Sequence, residues 1–593
     1  MSRSPRSVWA VLAVLALLAA GGAGCGKRPE PGTLVLLNGD IYTGETGFSE
    51  AKAMVITGRT ITAVCKTDDW AKRYIGQETR VIDLEGKFVL PGLIDAHVHF
   101  AEAGGLINDA DLVAVSDEAG LRREIGRVAA RLRDGEWITA GRWGASGEGN
   151  QGGTGEPLTI APSPWRPNRG MIDDLTPRHP CFLGRFDEKV WLANGAALQA
   201  AGLDRKRLAG LEIGPDGQPT GLVAKPSPAF NALEKARRPK SRERMLDENR
   251  TALKVLREAG ITEIHDISTP EQTDRFVELE AAGELTCRVW LRPDLSWGAE
   301  LKAAGLTMGL HPKTKQKSYW LRYGALEGSV DGLLSTHGSL LFDPYSDQPG
   351  NTGRRRSHAS GDPDLKTGDM EKMYGLIQAG LEAGFVPNIQ AVGDRAVAET
   401  LDLFERIRME RLQPLKGFRI IRAQLVRPED FKRFRKLGLI AEVNPAHLAD
   451  DMRWMEERLG RERARSADAF KSLLDNGAML TFGSDWPGTS AALYPVHPKY
   501  LIYAAVTRRT PDGKPEGGWF PEERISVKDA IKAYTINAAI AAFEDDKRGT
   551  LEAGKLADAT IFDRNLLKIK PADILKAEVT HTIVDGRVVF ERK

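Results

Sequence analysis

Short apolar runs alternate with longer helix-like stretches along the middle of the chain. Each run has the length and composition of a buried strand, and the stretches that follow several of them carry apolar residues at helical spacing. A strand followed by a helix, repeated eight times, predicts an α/β protein with a (β/α)8 TIM-like barrel. The predicted barrel strands are residues 93–97, 262–266, 288–291, 325–328, 386–390, 419–422, 441–444 and 481–485, and the predicted helices are residues 241–259, 370–383, 394–410, 430–437 and 527–543.

The two ends of the chain have a different pattern. Residues 33–90 and 546–593 contain short segments of alternating apolar and polar residues, separated by glycine-containing turns. We therefore expect the ends to pair into one small composite β-sandwich domain, flanking a barrel formed by residues 91–545. The gap from about residue 100 to 240 exceeds any ordinary connection and is rich in glycine and proline, so it predicts an insertion after strand one, at the barrel mouth.

The first residues have the features of an export signal. Arg3 and Arg6 precede an apolar run at residues 8–20 that is too short to span a bilayer, and small residues lead to Cys25. Residues 1–24 are therefore predicted to be a signal peptide. The small residues before Cys25 resemble a bacterial lipoprotein processing site, which predicts a lipid-anchored protein facing the periplasm. Ordinary cleavage nearby is the alternative, and it gives a soluble periplasmic or secreted protein.

The overall charge argues against nucleic acid as a partner. Lys plus Arg total 83 against 81 Asp plus Glu, and loss of Arg3 and Arg6 with the leader balances the two. A small-molecule substrate is the partner that we expect, with membrane contact only through a lipid on Cys25.

The end of the first predicted strand carries a pair of histidines. His97 and His99 are two residues apart, so on an extended chain their side chains face the same way, about 6.6 Å apart. Such a pair can hold one metal ion, although an isolated His-x-His pair is also found as two surface or core histidines. Asp485 closes the eighth predicted strand, which lies beside strand one in a closed barrel. A helix cap is the alternative role for Asp485.

These segments resemble the amidohydrolase superfamily, in particular the branch that includes N-substituted formamide deformylase. The similarity covers nearly all of the mature chain. In that family the histidine pair and the strand-eight aspartate bind a divalent metal, usually zinc, and the aspartate also accepts a proton from the attacking water. By resemblance these roles fall on His97, His99 and Asp485. The motifs that carry the resemblance, besides those at these three residues, are Asp216-Gly217-Gln218-Pro219-Thr220-Gly221, Gly260-Ile261-Thr262, Val392-Gly393-Asp394-Arg395-Ala396 and Gly554-Lys555-Leu556-Ala557-Asp558-Ala559.

Three of the family's metal-ligand positions carry other residues here. Glu327 stands where relatives commonly carry a lysine, and Gln390 and Arg422 replace two further histidine ligands. Because an arginine stays protonated and would repel a cation, we expect one divalent metal, zinc, held by His97, His99, Glu327 and Asp485. Arg422 and Gln390 then become candidates to bind a substrate carboxylate or a developing oxyanion. As alternatives, Glu327 is a buried ion-pair partner, or Glu327 and Arg422 neutralise each other in an inactive centre.

Two further histidines follow predicted strands four and seven. His337 and His447 are candidate substrate contacts, with a structural loop role as the alternative. The resemblance implies hydrolysis of amide-type carbon–nitrogen bonds other than peptide bonds by a metal-activated water. The alternative functions are an inactive ligand-binding descendant of the family and an ester or lactone hydrolase.

Overall fold

The computed structural model describes residues 29–44, 51–112, 115–139, 141–143, 145–146, 161–162, 165–185, 189–356, 369–412, 414–488 and 495–593. The predicted signal peptide and Cys25 lie outside these residues. Within them, no helix has both the length and the apolar character needed to cross a membrane.

The strands fall into an N-terminal group, a long central series and a C-terminal group. In chain order they are β1 Leu34–Leu37, β2 Asp40–Ile41, β3 Ala53–Thr57, β4 Thr60–Cys65, β5 Arg80–Asp83, β6 Phe88–Pro91, β7 Leu93–Val98, β8 Ala145–Ser146, β9 Ala161–Pro162, β10 Phe182–Gly184, β11 Val190–Ala193, β12 Leu211–Ile213, β13 Pro219–Ala224, β14 Ile261–Asp266, β15 Arg288–Leu291, β16 Leu321–Tyr323, β17 Leu326–Ser329, β18 Pro387–Ala391, β19 Arg419–Arg422, β20 Ile440–Val443, β21 Met479–Phe482, β22 Ala559–Phe562, β23 Val579–Val584 and β24 Arg587–Glu591.

Most of the longer helices follow a barrel strand. The helices are α1 Asp68–Lys72, α2 Phe100–Asn108, α3 Glu118–Ala129, α4 Gly195–Ala200, α5 Pro228–Ala236, α6 Arg242–Glu258, α7 Pro270–Ala281, α8 Gly298–Ala303, α9 Met370–Glu382, α10 Asp394–Arg411, α11 Phe431–Leu437, α12 Pro445–Asp451, α13 Met455–Leu459, α14 Arg461–Ala464, α15 Phe470–Asp475, α16 Pro498–Thr507, α17 Val527–Tyr534 and α18 Ile536–Ala541. Short 3-10 helices are formed by Arg169–Met171, Leu295–Trp297, Pro521–Glu523 and Pro571–Lys576.

The central strands are parallel and form two sheets, in the orders β16-β15-β14-β7 and β17-β18-β19-β20-β21. The sheets meet at two seams, each marked by a single parallel bridge: Val98 with Trp486, and Asp294 with Glu327. With β16 and β17 as the two halves of strand four, the order is that of a (β/α)8 barrel, which confirms the fold class predicted from the sequence. The barrel is thus two sheets joined at their edges, and the candidate residues at the ends of β7 and β21 lie at one of these seams.

Two elements of the barrel are interrupted: strand four, which is predicted only at residues 325–328, and the helix predicted at residues 527–543. Strand four breaks at Gly324, where a Cβ atom would lie 2.1 Å from the ring of Trp290, so only glycine allows this approach. The helix predicted at residues 527–543 ends at Tyr534 and restarts at Ile536, because Thr535 leaves the helical conformation (φ −123°, ψ −98°). The hydroxyl of Thr535 donates to the carbonyl of Ile531 at 2.8 Å.

The two ends of the chain meet in one sheet, of order β2-β6-β22-β23-β24. Strands β6 and β22 are antiparallel, with Phe88 opposite Phe562. A second sheet, β4-β3-β1-β5, packs with it around a separate apolar cluster that includes Met54, Val89 and Ile561. The segment between β7 and β14 forms a further antiparallel sheet, β10-β11-β13-β12, with apolar clusters of its own.

The centre of the barrel is filled mainly by charged and polar side chains. They occupy alternate positions of the strands, while their neighbours such as Ile264 and Val289 pack in the main hydrophobic core. Arg322 on β16 pairs with Glu263 on β14 at 2.8 Å, and Arg419 on β19 contacts both Glu442 on β20 at 2.9 Å and His265 on β14 at 3.0 Å. Bulky branched residues usually fill such barrels, so ion pairing replaces apolar packing here.

Arg288, on β15, connects the barrel to the composite domain. Its guanidinium donates to both oxygens of Asp558, at 2.7 and 2.9 Å, and to Asp585 at 2.8 Å. The arginine is fully buried and both aspartates are nearly so. Burial of this charge is therefore compensated by two carboxylates that belong to the C-terminal part of the chain.

We expect Arg288→Met to lower the apparent free energy of unfolding by about 3–5 kcal/mol, because it removes the arginine partner of buried Asp558 and leaves Asp585 with only Arg59 and Trp320. Arg250 pairs with Glu284 near the surface, and Arg250→Met, the matched control, should cost less than about 1 kcal/mol. Urea denaturation of both variants measures the difference. Equal effects would show that the Arg288 contacts contribute no more than a surface ion pair.

Candidate metal centre

Three side chains predicted from the sequence converge at the seam between β7 and β21. The Nε2 atoms of His97 and of His99 each lie 3.1 Å from the Oδ1 atom of Asp485. Backbone hydrogen bonds hold the two segments together: Asp485 N–H donates to the His97 carbonyl at 2.9 Å, and His99 N–H donates to the Trp486 carbonyl at 2.8 Å. The ligand atoms of the three residues lie within 4.8 Å of one another.

Asp485 uses its two oxygens differently. Oδ1 faces the two histidines, whereas Oδ2 accepts from Nη2 of Arg422 at 2.5 Å and lies 3.0 Å from Nε2 of His447. Burial alone would raise the pKa of this carboxyl, but the Arg422 charge and the contacts with the histidines hold the pKa well below its usual value. Asp485 is therefore a fully buried carboxylate with one oxygen already neutralised by a cation.

Arg422 reaches Asp485 through an unusual backbone conformation. Arg419 points into the barrel, so strand alternation alone would place Arg422 on the outer face with Ile420, which packs in the hydrophobic core. Arg422 instead has a φ of +68°, in the left-handed region, and Ala423 follows with +40°. Such conformations are costly for residues other than glycine and cluster at functional sites. In this protein the left-handed backbone at Arg422 turns its side chain towards Asp485.

Glu442 fixes the orientation of His97. Its Oε1 atom lies 2.9 Å from Nδ1 of His97 and accepts from Nη1 of Arg292 at the same distance. Burial alone lowers the pKa of His97, but the hydrogen bonds with Asp485 and Glu442 outweigh it and raise the pKa to about 9. With Nδ1 bound to Glu442, His97 presents Nε2 to His99 and Asp485.

This donor set fits one divalent metal ion. Two imidazole nitrogens and one carboxylate oxygen, with a second carboxylate behind one imidazole, match the three-ligand zinc sites that keep a position open for water or substrate. The second oxygen of Asp485 is bound by Arg422, whose permanent positive charge disfavours a second cation nearby. The residues therefore suit a centre with one metal rather than two.

Glu327 does not join the three converging residues. Its Oε2 atom lies 2.9 Å from Nη2 of Arg292, so its carboxylate is held by a fully buried guanidinium. The geometry thus does not support Glu327 as a fourth metal ligand and favours the alternative of a buried ion pair. The alternative in which Glu327 and Arg422 neutralise each other is not what the structure shows, because Glu327 pairs with Arg292 and Arg422 pairs with Asp485.

The remaining candidates separate into two groups. His447 belongs to the centre: besides Asp485, its Nδ1 atom contacts Nη1 of Arg422 at 3.2 Å, and burial together with that charge lowers its pKa to about 4. Gln390 is 7% exposed, and its side-chain amide nitrogen has no hydrogen-bond partner among the residues that the structure describes. His337 instead bonds to Asp347 at 2.8 Å, in a contact that Arg458 shares.

Sequence reasoning missed Glu442 and Arg292, the two residues that orient His97 and Glu327. A signal was present, since both are charged residues in or directly after short apolar runs predicted as buried strands. A charge in a buried strand needs a partner. The sequence does not reveal which strand supplies that partner.

A comparison with protein families identifies the chain. The model of the amidohydrolase family matches residues 80–590. The chain belongs to the amidohydrolase family. Membership confirms the resemblance seen in the sequence, and it supports a hydrolase with a metal cofactor.

Relatives and solved structures align with this amidohydrolase over most of its length. Protein LONG AFTER FAR-RED 3 from Arabidopsis thaliana is 32% identical over 576 residues, which cover 94% of this chain and 91% of that protein. N-substituted formamide deformylase from Arthrobacter pascens is 25% identical over 578 residues, covering 94% and 98%. An uncharacterized metal-dependent hydrolase from Pyrococcus furiosus superimposes with a TM-score of 0.69 at 24% identity, covering 90% and 100%, and so shows the shared fold.

We expect Glu442→Gln to weaken zinc binding by about 10- to 100-fold, because His97 loses the charged acceptor that orients its ring. Competition with a chromophoric chelator measures the affinity. Glu429→Gln is the matched control, since Glu429 is an exposed carboxylate that pairs with Arg427. Unchanged zinc affinity in a folded Glu442→Gln protein would show that this carboxylate does not support the metal ligand.

Proposed function

We propose that this amidohydrolase is an exported enzyme that uses one divalent metal ion, zinc, to hydrolyse amide-type carbon–nitrogen bonds other than peptide bonds. The observation that carries the proposal is the convergence of His97, His99 and Asp485, with the second oxygen of Asp485 bound by Arg422. Three ligands of this kind leave a position open, as catalytic zinc sites require.

The metal, when bound, would polarise the scissile carbonyl and activate the attacking water. In this proposal Asp485 accepts the proton of that water and delivers it to the leaving nitrogen. Glu442 orients His97 through Nδ1, and Arg422 and His447 hold the outer oxygen of Asp485 so that Oδ1 stays directed at the two histidines.

The class of bond is supported by the deformylase relative, whose name describes an N-substituted formamide as its substrate. At 25% identity the substrate does not transfer directly, and fold alone does not fix it. A nitrogen leaving group nevertheless agrees with the centre, because it needs a proton that Asp485 is positioned to supply. An ester or lactone substrate needs this proton less, because its leaving group is an alkoxide. The variant Asp485→Asn therefore distinguishes an amide hydrolase from an ester or lactone hydrolase. Loss of amide hydrolysis with retained ester hydrolysis would favour the ester or lactone hydrolase.

One observation favours a second candidate, a protein of this family that binds ligands without catalysis. The ion pair with Arg422 makes Asp485 a weaker base and also competes with a metal for the carboxylate. Failure of the purified protein to retain metal is the sign that distinguishes this candidate.

Metal content is the decisive measurement for the proposed function. After dialysis against metal-free buffer, we expect about one equivalent of zinc in the wild type and none in the double variant His97→Ala/His99→Ala, with turnover of an N-substituted formamide only by the former. Two equivalents would contradict the single-metal centre. Absence of metal from the wild-type protein would contradict the proposed enzyme and favour the ligand-binding candidate.

Export and lipid attachment at Cys25 are proposed from the sequence. We expect the wild-type protein expressed in a Gram-negative host to partition into the detergent phase of a Triton X-114 extraction, and Cys25→Ser to stay in the aqueous phase. Aqueous partitioning of both, with a shortened N-terminus, would establish ordinary signal cleavage instead. An uncleaved cytosolic product would refute export.

A further inference from the structure

The composite domain has an outer side that faces away from the barrel. Its sheet β4-β3-β1-β5 packs on the sheet shared by the two chain ends, and the shared sheet contacts the barrel, where the hydroxyl of Thr582 donates to the carbonyl of Arg257 at 2.6 Å. On the other side of β4-β3-β1-β5, helix α1 lies over a small apolar cluster that includes Val35, Val55 and Ala71. Helix α1 is therefore on the side of this domain that the barrel does not cover.

Apolar and aromatic side chains are grouped on this side. Trp70 is 45% exposed, Ile75 36% and Val81 42%, and the ring centroid of Trp70 lies 5.2 Å from that of the partly buried Tyr74. Val81 on β5 is paired with Val35 on β1, so its side chain is on the face that α1 covers. We call Trp70, Tyr74, Ile75 and Val81 the outer patch. Scattered exposed apolar residues are ordinary, but a group of them marks a contact surface.

The composition of the outer patch suits the surface of a lipid bilayer. Trp and Tyr are enriched where the hydrocarbon meets the headgroups, because their rings are apolar and carry a polar N–H or O–H group. Among the tryptophans that the structure describes, Trp70 alone belongs to the exposed large apolar side chains. The exposed charges beside it are balanced, with Lys72 and Arg73 against Asp69 and Glu78, so the patch does not repel an anionic surface.

The first described residues are fixed to the same place. The N–H of Gly32 donates to the carbonyl of Tyr74 at 2.9 Å, and the hydroxyl of Thr79 donates to the carbonyl of Gly32 at 2.7 Å. Pro31 packs against Gly76, where a Cβ atom would lie 2.8 Å from the proline ring. The chain therefore enters the fold beside the loop that joins α1 to β5, at the edge of the outer patch.

A lipid on Cys25 would hold the outer patch close to a membrane. From Cys25 to Pro31 the chain can extend over about 20 Å at most, at about 3.3–3.6 Å per residue. Lys27 and Arg28 lie on this tether, and such basic residues are attracted to anionic lipids. The patch and the tether therefore face the same surface.

We propose that the outer patch docks on an anionic phospholipid bilayer, with Trp70 and Ile75 in the headgroup region. The inference goes beyond the proposed hydrolase, and it rests on the proposed lipid at Cys25 for the position of the membrane. A docked outer patch leaves the barrel, on the other side of the composite domain, clear of the lipid.

The test supplies the anchor chemically. Residues 25–593 with a free Cys25 are coupled to a maleimide lipid in phosphatidylethanolamine/phosphatidylglycerol vesicles, since Cys65, Cys181 and Cys287 are buried. Lipids brominated close to the headgroup quench a tryptophan that they contact. We expect quenching in the wild type and its loss in Trp70→Phe, with zinc content and turnover unchanged. Absence of quenching in the wild type, or equal quenching in Trp70→Phe, would overturn the proposal.

A pair of matched variants assigns the docking to the outer patch. Ile75→Glu should shift the docking equilibrium of the tethered protein about tenfold towards the undocked state, because a charge replaces an apolar side chain at the lipid surface. Leu567→Glu is the control, since Leu567 is 37% exposed in the same domain but lies near Asp40, whose carboxylate accepts from Asn565 and Lys568. Both substitutions are at exposed positions. Equal quenching of Trp70 in the two variants would contradict the docking.

Sedimentation distinguishes a membrane from a second copy of the chain. A dimer in solution that is lost in Trp70→Glu, together with unquenched Trp70 on vesicles, would replace the membrane by a protein partner and overturn the proposal. Failure of the lipid anchor is distinguishable as well. A cellular protein in the detergent phase whose Trp70 is unquenched on vesicles keeps the anchor and removes the docking, whereas aqueous partitioning with quenching of the tethered chain removes the anchor and keeps the docking.

Discussion

A single buried carboxylate, Glu442, joins the candidate metal centre to the interior of the barrel. One of its oxygens contacts His97 and Arg292, and the other accepts from Arg419, which in turn contacts His265. Removal of its charge would leave the buried guanidinium of Arg419 without its carboxylate partner, would leave Arg292 with Glu327 alone, and would release the ring of His97. The direction of the metal ligand and the packing of the barrel thus depend on the same group.

The charged side chains inside the barrel lower the stability of the fold through their desolvation, and other interactions must offset this free energy. Buried ion pairs contribute little to stability compared with apolar side chains of similar volume, since each charge loses its hydration. Outside the strands, however, the barrel is surrounded by a large apolar core that includes Ile264, Val289 and Ile420. Stability can come from this outer layer, and the inner layer is better explained by the precision with which it holds His97, Glu327 and Asp485.

The sequence predicted the order of the barrel strands and the residues that close strands one and eight. Apolar runs identify strands because burial requires them, and the His97/His99 spacing with Asp485 defines a site once strand eight is known to lie beside strand one. The pairing of Glu327 was not predictable, because strand order does not give the height of a side chain within the barrel. The position of Arg422 depends on a left-handed φ, and an arginine gives no sign of this in the sequence, unlike a glycine.

The shared sheet of the two chain ends affects how the protein is made. The backbone of Leu93 donates to the hydroxyl of Thr560, 467 positions later, and β6, which pairs with β2 on one side, gains its second neighbour only when β22 exists. During translation, the first strands therefore emerge from the ribosome long before their partner has been synthesised. The nascent chain therefore keeps an unpaired edge on β6 until β22 has been synthesised, so this sheet, which contains some of the first strands of the fold, is completed late.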